Sequence, residues 1–226
     1  MQKIVIIYGP PGSGKGTQAN LLFIRKDFIH FDTGEYIENV VHDPANKNDK
    51  VIQREKKNFD TGMLCTPSWV IKEVRNKTEQ LIKSGFPIVF SGSPRTVFES
   101  MGDDKNEGLY SFFDKVVGKE NVYVFLLKVP PEVSIYRNSN RLLCTVCGLG
   151  VMAGSSSGER CHFCGGKLYR RTLDNVETIK VRLKQFEDRT KPILKEIKKV
   201  GYKVHEIDGK PQPYKVHEKI VKILKI

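Results

Sequence analysis

The sequence predicts an α/β domain: a doubly wound, five-stranded parallel sheet covered by helices on both faces, with a small insertion stabilised separately from it. Three observations lead there. Short β-rich apolar runs alternate with longer stretches of helical period along the 226 residues. The runs are almost continuously apolar, as strands buried on both faces must be. The stretches between them are long enough for parallel crossovers. The length suits one large domain, or one domain with an insertion, and excludes a multi-domain assembly. Hydrophobic residues make up 39% and charged residues 28%, so the chain can bury a sizeable core and fold alone.

The first strand is expected over residues 3–8 and runs into Gly9-Pro-Pro-Gly12-Ser13-Gly14-Lys15-Gly16-Thr17-Gln18. Glycines at a strand-to-helix turn let successive backbone N–H groups face phosphate oxygens; the helix N-terminus adds partial positive charge and Lys15 a full one. The spacing fits G-x-x-x-x-G-K, with Gly16 where a Ser or Thr usually stands. The hydroxyl comes one residue late, at Thr17, so metal ligation by it does not follow. A second strand is expected over 28–31, and residues 33–84 read as a helical excursion broken by the polar loop from His42 to Lys50. Third and fourth strands are expected over 86–90 and 122–129. Arg137 and Arg141 then stand four apart on a helical stretch and are expected to share a face. Residues 143–172 carry cysteines, glycines and the Ser155-Ser156-Ser157 run with no helical period, which marks the insertion. Asp174-Asn-Val-Glu177 has capping-box spacing, with Asp174 as N-cap of a long amphipathic helix to about Lys199. A fifth strand is expected over 202–207. The helix over 213–226 puts Val216, Ile220, Ile223 and Leu224 on one face for packing against the sheet; binding of its lysines to a membrane surface is the alternative.

Lysine and arginine outnumber aspartate and glutamate by 38 to 26, and the net charge of +12 implies attraction to polyanions: nucleotides, nucleic acid or an acidic surface. No apolar run approaches the roughly 18 residues that cross a bilayer, and the N-terminal run is too short for a signal segment. A cytoplasmic protein with reduced thiols is expected. The five histidines (30, 42, 162, 205 and 217) are scattered and expected at the surface or at strand ends. No nucleophile–histidine arrangement is visible along the chain.

Cys144-Thr-Val-Cys147-Gly148 and Cys161-His-Phe-Cys164-Gly165 form two Cys-x-x-Cys-Gly knuckles separated by 13 residues. Four thiolates suit a closed tetrahedral zinc site, structural because no coordination position stays open. Iron in the same sulfurs, disulfides or a metal-free segment are the alternatives. The insertion offers only Phe163 and Tyr169 for base stacking, a thin basis for nucleic-acid binding.

The phosphate loop resembles that of adenylate kinases, down to the Gly16-Thr17 after the lysine. Asp32-Thr33-Gly34-Glu35, Gly62-Met63-Leu64-Cys65-Thr66, Gly92-Ser-Pro94-Arg95-Thr96, Arg137 with Arg141, the four-cysteine insertion, Arg171, Arg182 and Asp208-Gly209 follow in the order of a long-lid, zinc-binding adenylate kinase. The resemblance spans essentially the whole chain. It implies reversible transfer of the ATP γ-phosphate, with Mg2+, to a nucleoside monophosphate, AMP by family. Residues 1–142 and 173–226 would form the core, 33–62 within it the acceptor-binding segment, and 143–172 the zinc lid. By the same resemblance Gly12, Ser13, Gly14, Lys15, Gly16, Thr17, Arg137, Arg141 and Gly209 bind ATP. Thr33, Met63, Leu64, Cys65, Gly92, Arg95, Glu99, Arg171 and Arg182 bind the acceptor. Lys15, Arg95, Arg137, Arg141, Arg171 and Arg182 are the catalytic cations, and Cys144, Cys147, Cys161 and Cys164 hold structural zinc. Nucleotides are the expected partners, with no membrane or nucleic acid, and a monomer is expected. The chemistry suits these residue types: phosphoryl transfer needs two polyanions held in line with cations at their oxygens, and an arginine fork gives two hydrogen bonds without losing its charge.

Three acceptor-side positions depart from the family. Glu38 stands where an arginine is expected five residues after Thr33, and Ser91 where an acid ends the third strand and orders magnesium's waters. Glu99 replaces a glutamine that reads adenine. An ionised glutamate can only accept hydrogen bonds, which suits the two adjacent donors on guanine better than adenine. AMP is therefore expected to be a poor acceptor and a guanine or other non-adenine monophosphate a better one, with Ser91 lowering turnover for all of them. The alternative is a degenerate ATP-binding protein without fast turnover, one that contacts RNA through its basic surface.

Overall fold

The computed structural model of the chain describes residues 2–152 and 159–226. From the N-terminus, β1 (Ile4–Tyr8) enters α1 (Lys15–Lys26), and β2 (Ile29–Phe31) leads through α2 (Thr33–His42), α3 (Lys50–Asp60) and α4 (Pro67–Ile82) to β3 (Ile88–Phe90). Next come α5 (Val97–Met101), α6 (Leu109–Val117), β4 (Val122–Lys128) and α7 (Pro131–Ser139). Three short strands follow: β5 (Arg141–Cys144), β6 (Gly150–Met152) and β7 (Leu168–Tyr169). The chain ends with α8 (Val176–Gln185), α9 (Ile193–Lys199), β8 (Val204–Asp208) and α10 (Pro213–Leu224).

The central sheet is parallel throughout, in the order β2-β3-β1-β4-β8. Each strand lies within two residues of where the apolar runs placed it. Alternate side chains of β1 point to opposite faces: Ile4, Ile6 and Tyr8 join a core with Phe90, Phe113 and Val124, while Val5 and Ile7 join another with Leu22, Phe125 and Ile220. Burial on both faces is why the run is unbroken, each such side chain contributing roughly 1.5–3 kcal/mol. The α10 face that the sequence singled out lies inside the second core through Val216, Ile220 and Leu224, with Ile223 packed against it. That apolar face is used within the fold rather than for a membrane surface. Among the described residues, no helix is long and apolar enough to cross a membrane.

The helical excursion is present as α2, α3 and α4, with Asp32 and Asp49 capping the first two through their carboxylates. The insertion is a small antiparallel sheet, β6-β5-β7; the Ser155-Ser156-Ser157 run lies outside the described residues.

Three local expectations are corrected. The long helix after the insertion is not continuous: α8 ends at Gln185, residues Phe186–Thr190 are π-helical, and Pro192 precedes α9. Proline has no N–H to offer and its ring obstructs the preceding turn, so the widened turn falls just before it. The N-cap of α8 is Asn175, whose side chain accepts from the Thr178 amide; Asp174 turns inward instead. Arg137 and Arg141 do not share a helix face, because α7 ends at Ser139 and Arg141 opens β5.

Candidate active site

The C-terminal ends of β1, β2, β3 and β8 open on one cleft of about 1230 Å3, with α7, the β5–β7 sheet and α2 on its walls. That volume exceeds the usual range for one small ligand and leaves room for two. Strand ends of a parallel α/β sheet are where ligands bind in such folds, because the loops there diverge.

The phosphate loop forms one end. Gly12 and Gly14 have φ of 72° and 96°, backbone that side-chain-bearing residues rarely adopt. A Cβ on Gly12 would fall 2.5 Å from the Asn138 amide nitrogen. Gly14 caps α1 without a side-chain bond, so the first amides of the helix face the cleft unpaired, ready for an anion. Lys15 Nζ donates to the carbonyls of Gly9 and Pro10 at 2.8 and 2.9 Å. Burial, then the nearby Arg182 and Arg95, pull its ammonium down to about 7, a cost that a polyphosphate in the loop would remove.

The arginines expected from different parts of the chain meet in this cleft. Arg137 donates to the Gly209 and Lys210 carbonyls at 2.8 and 2.9 Å. Arg141 grips Asp174, 1% exposed, with Nη2 and Nε at 2.8 and 3.1 Å from its two oxygens. Arg182 stands 3.8 Å from the same carboxylate. Its Nη1 is buried without a hydrogen bond, and burial, Arg95 and Arg171 lower the group to about 10. Arg95 Nε donates to the Gly92 carbonyl at 2.6 Å. These fixed cations share few carboxylates, so the cleft attracts phosphate oxygens.

Beside the arginines a small recess of about 40 Å3 is lined by Thr33, Met63, Leu64, Cys65, Gly92 and Glu99 among others. Thr33 Oγ1 is buried there without a partner. A methyl group on Gly92 would lie 2.3 Å from that hydroxyl, so only glycine keeps it accessible.

A family model described as adenylate kinase matches residues 7–202. The chain belongs to the adenylate kinase family. It is 34% identical to the adenylate kinase of Caldicellulosiruptor saccharolyticus over 204 residues, 87% of each chain. It is also 30% identical to that of Clostridium tetani over 226 residues, 97% of each. It is thereby a phosphotransferase that acts on nucleoside monophosphates, and ATP with Mg2+ is the donor in this family.

Glu38 and Glu99, two of the departures from the family pattern, are both held by partners within the chain. Glu38 does not lie free against an acceptor phosphate: its Oε2 takes a hydrogen bond from Arg171 Nη2 at 2.9 Å, tying α2 to the segment after β7. Lys47, Lys50 and Arg54, the next cations along the chain, line neither the cleft nor the recess, and Arg54 pairs with Glu55. Glu99 is 1% exposed. One oxygen accepts from the Arg95 amide at 2.8 Å and the other from the Thr96 hydroxyl at 3.1 Å, while the Glu99 amide donates back to Thr96 Oγ1. Burial pushes its carboxyl up to about 7, against the pull of the Arg95 amide and guanidinium. The premise of a fully ionised Glu99 is thus corrected.

The four sulfurs of Cys144, Cys147, Cys161 and Cys164 lie within 4.8 Å of one another, the spread a tetrahedral metal with bonds near ~2.3 Å requires. The Val146 amide donates to Cys144 Sγ at 3.4 Å, as a thiolate ligand would use. Cys65 packs in the core, its thiol donating to the Glu55 carbonyl.

Sequence reasoning missed two groups. Glu55, fully buried, accepts from the Thr66 amide and hydroxyl at 2.7 Å each and so fixes the end of the Met63–Leu64–Cys65 stretch. Nothing in a single helix sequence distinguishes it from a solvated glutamate. The other is a Ser91–His30–Asn20 chain of hydrogen bonds, where no histidine arrangement was expected. Its members come from three elements, so no spacing reveals it.

Proposed function

We propose that this enzyme transfers the γ-phosphate of ATP to a nucleoside monophosphate with ATP on Gly12–Thr17, Arg137, Arg141 and Gly209. The acceptor phosphate is then met by Arg95, Arg171 and Arg182 and its base by the recess at Thr33 and Glu99. The convergence of Lys15 and five arginines on one cleft carries the reading. A monophosphate is already a nucleophile, so no side chain needs to act as a strong base. The protein's share is alignment, charge stabilisation and exclusion of water. Residues 33–62 and 143–172 act as two flaps over the core, closing when both nucleotides are present.

Acceptor choice follows from Glu99. Ionised, it offers lone pairs to the two donors of a guanine edge; neutral, it also has an O–H for a ring nitrogen of adenine. GMP is therefore a good acceptor above neutral pH, and AMP gains as pH falls. ADP formation from ATP with AMP, GMP, CMP and UMP tests this directly. Failure of every monophosphate, or activity unchanged in Lys15→Ala, would sink the kinase assignment of these residues and leave a protein that binds ATP without fast turnover.

The cysteine cluster holds one structural zinc: four sulfurs leave no open position, and among the described residues of the insertion the core is a small one of Cys144, Cys161 and Leu168 with Leu142 and Val151 against it. Elemental analysis of the purified protein should give close to one zinc per chain. Cys144→Ser should lose it and melt the insertion at a lower temperature than the core. Iron, or no metal in a fully reduced and stable protein, is the contrary result.

A further inference from the structure

Ser91 follows directly after β3 at the wall of the cleft, 7% exposed, on the strand that pairs with β1 beside the phosphate loop. Its Oγ lies 2.8 Å from His30 Nε2, and His30 Nδ1 lies 2.7 Å from Asn20 Oδ1. The direction of each bond follows. An amide oxygen only accepts, so Nδ1 carries the imidazole proton and the neutral ring presents a lone pair at Nε2. The Ser91 hydroxyl must donate into that lone pair. With its single proton committed to His30, Ser91 offers the cleft nothing but acceptor lone pairs.

In phosphate-loop enzymes generally, the nucleotide's divalent cation is held by a hydroxyl on the loop and an acid at a neighbouring strand end. Here Gly16 removes the first and Ser91 stands at the second. We propose that His30 and Asn20 are positioning residues that hold the Ser91 hydroxyl as a hydrogen-bond acceptor for water on the divalent cation of the ATP substrate. Magnesium sheds its waters reluctantly, so an uncharged oxygen fixed in orientation suits contact through a water. A hydroxyl free to rotate would present its own proton to that water part of the time.

The inference rests on ATP as donor, so the experiment measures two affinities on the same full-length proteins. One is Mn2+ binding to the protein–ATP complex, read from the free Mn2+ paramagnetic resonance signal. The other is ATP binding in EDTA, by calorimetry. Ser91→Ala and His30→Phe should each weaken Mn2+ binding by about three- to tenfold, the worth of one hydrogen bond, with metal-free ATP affinity unchanged. Asn20→Leu should lose about threefold, and Asn20→Asp, which still accepts from Nδ1, should stay within about twofold. Asn20 lies on a partly exposed face of α1 and leucine is a good helix former, so this pair reports even if His30→Phe folds poorly. Wild-type Mn2+ affinity in Asn20→Leu, or an equal loss in EDTA, overturns the proposal. So does a phosphoserine at Ser91 after incubation with ATP, which would make the hydroxyl a nucleophile. A wild-type protein that binds no ATP would overturn the donor reading as well.

Discussion

Replacing Glu99 by glutamine separates two roles of one buried carboxyl. With 1% exposure and a pKa near 7, its folded value lies above the ordinary 4.5. The native state therefore holds a proton that the unfolded chain has already released. Its contribution to stability is fully present below about pH 4.5 and is lost as pH rises through about 7, then stays lost. The gap corresponds to about 3 kcal/mol at pH 8. Glutamine keeps an acceptor for the Arg95 amide and can donate to Thr96 Oγ1, so its own loss is about 1 kcal/mol. Glu99→Gln should thus stabilise the protein by about 2 kcal/mol at pH 8 and leave it level or slightly weaker at pH 5. Urea midpoints of both proteins at pH 5, 6, 7 and 8 measure this, with an unchanged slope showing that the unfolded states are alike. A difference between the two that does not grow with pH refutes the buried-acid argument. The functional half is independent: the ratio of kcat/KM for AMP to that for GMP should fall between pH 6 and pH 8 in the wild type and stay flat in Glu99→Gln. An equal ratio at both values in the wild type means that Glu99 does not read the base.

Three further outcomes follow from single contacts. Glu38→Gln frees Arg171 from a partly exposed pair worth about 1 kcal/mol, so the acceptor KM should fall up to about fivefold while the ATP KM holds; a rise in acceptor KM would contradict it. His217 is 1% exposed with neither ring nitrogen partnered, and burial, Arg25 and Lys26 lower its pKa below 6.5, so the stability tied to its neutral form is present above pH 6.5 and lost as pH falls. His217→Leu should raise the melting temperature and flatten its fall in acid, to be read by thermal melts from pH 5 to 8. Lys15, at about 7 in the free protein, should take up close to one proton when ATP binds at pH 8 and almost none at pH 6, seen by calorimetry in two buffers of different protonation enthalpy. Equal heats in both buffers at pH 8 would contradict it.

The sheet was legible because its strands are buried on both faces, and double burial writes itself into sequence as unbroken runs such as Ile4–Tyr8. The phosphate loop was legible because its chemistry is local: one turn, one helix start and one lysine within ten residues. The cysteine knuckles are local for the same reason. Errors arose where a residue's partner comes from elsewhere. Asp174 has the spacing of a cap, yet Arg141, 33 residues away, draws it inward, and Asn175 takes the cap. Charge pairing at a buried site outweighs a cap worth about 1 kcal/mol.

The acceptor side shows the same rule at its sharpest. By its own chemistry Glu38 is a negative charge where a phosphate should sit, but Arg171, 133 residues on, already answers it. The relevant question becomes how easily that pair opens, a matter of solvent exposure and competition. By its own chemistry Glu99 is an anion, but burial brings it to the edge of neutrality, so it can present either an acceptor pair or a donor with an acceptor. Both positions convert a fixed charge, as read from the letters, into one set by surroundings. On the proposed reading of the recess, the acceptor is selected by conditions as well as by shape. Acceptor preference measured at one pH would therefore describe only one of the two protonation states that the recess can present.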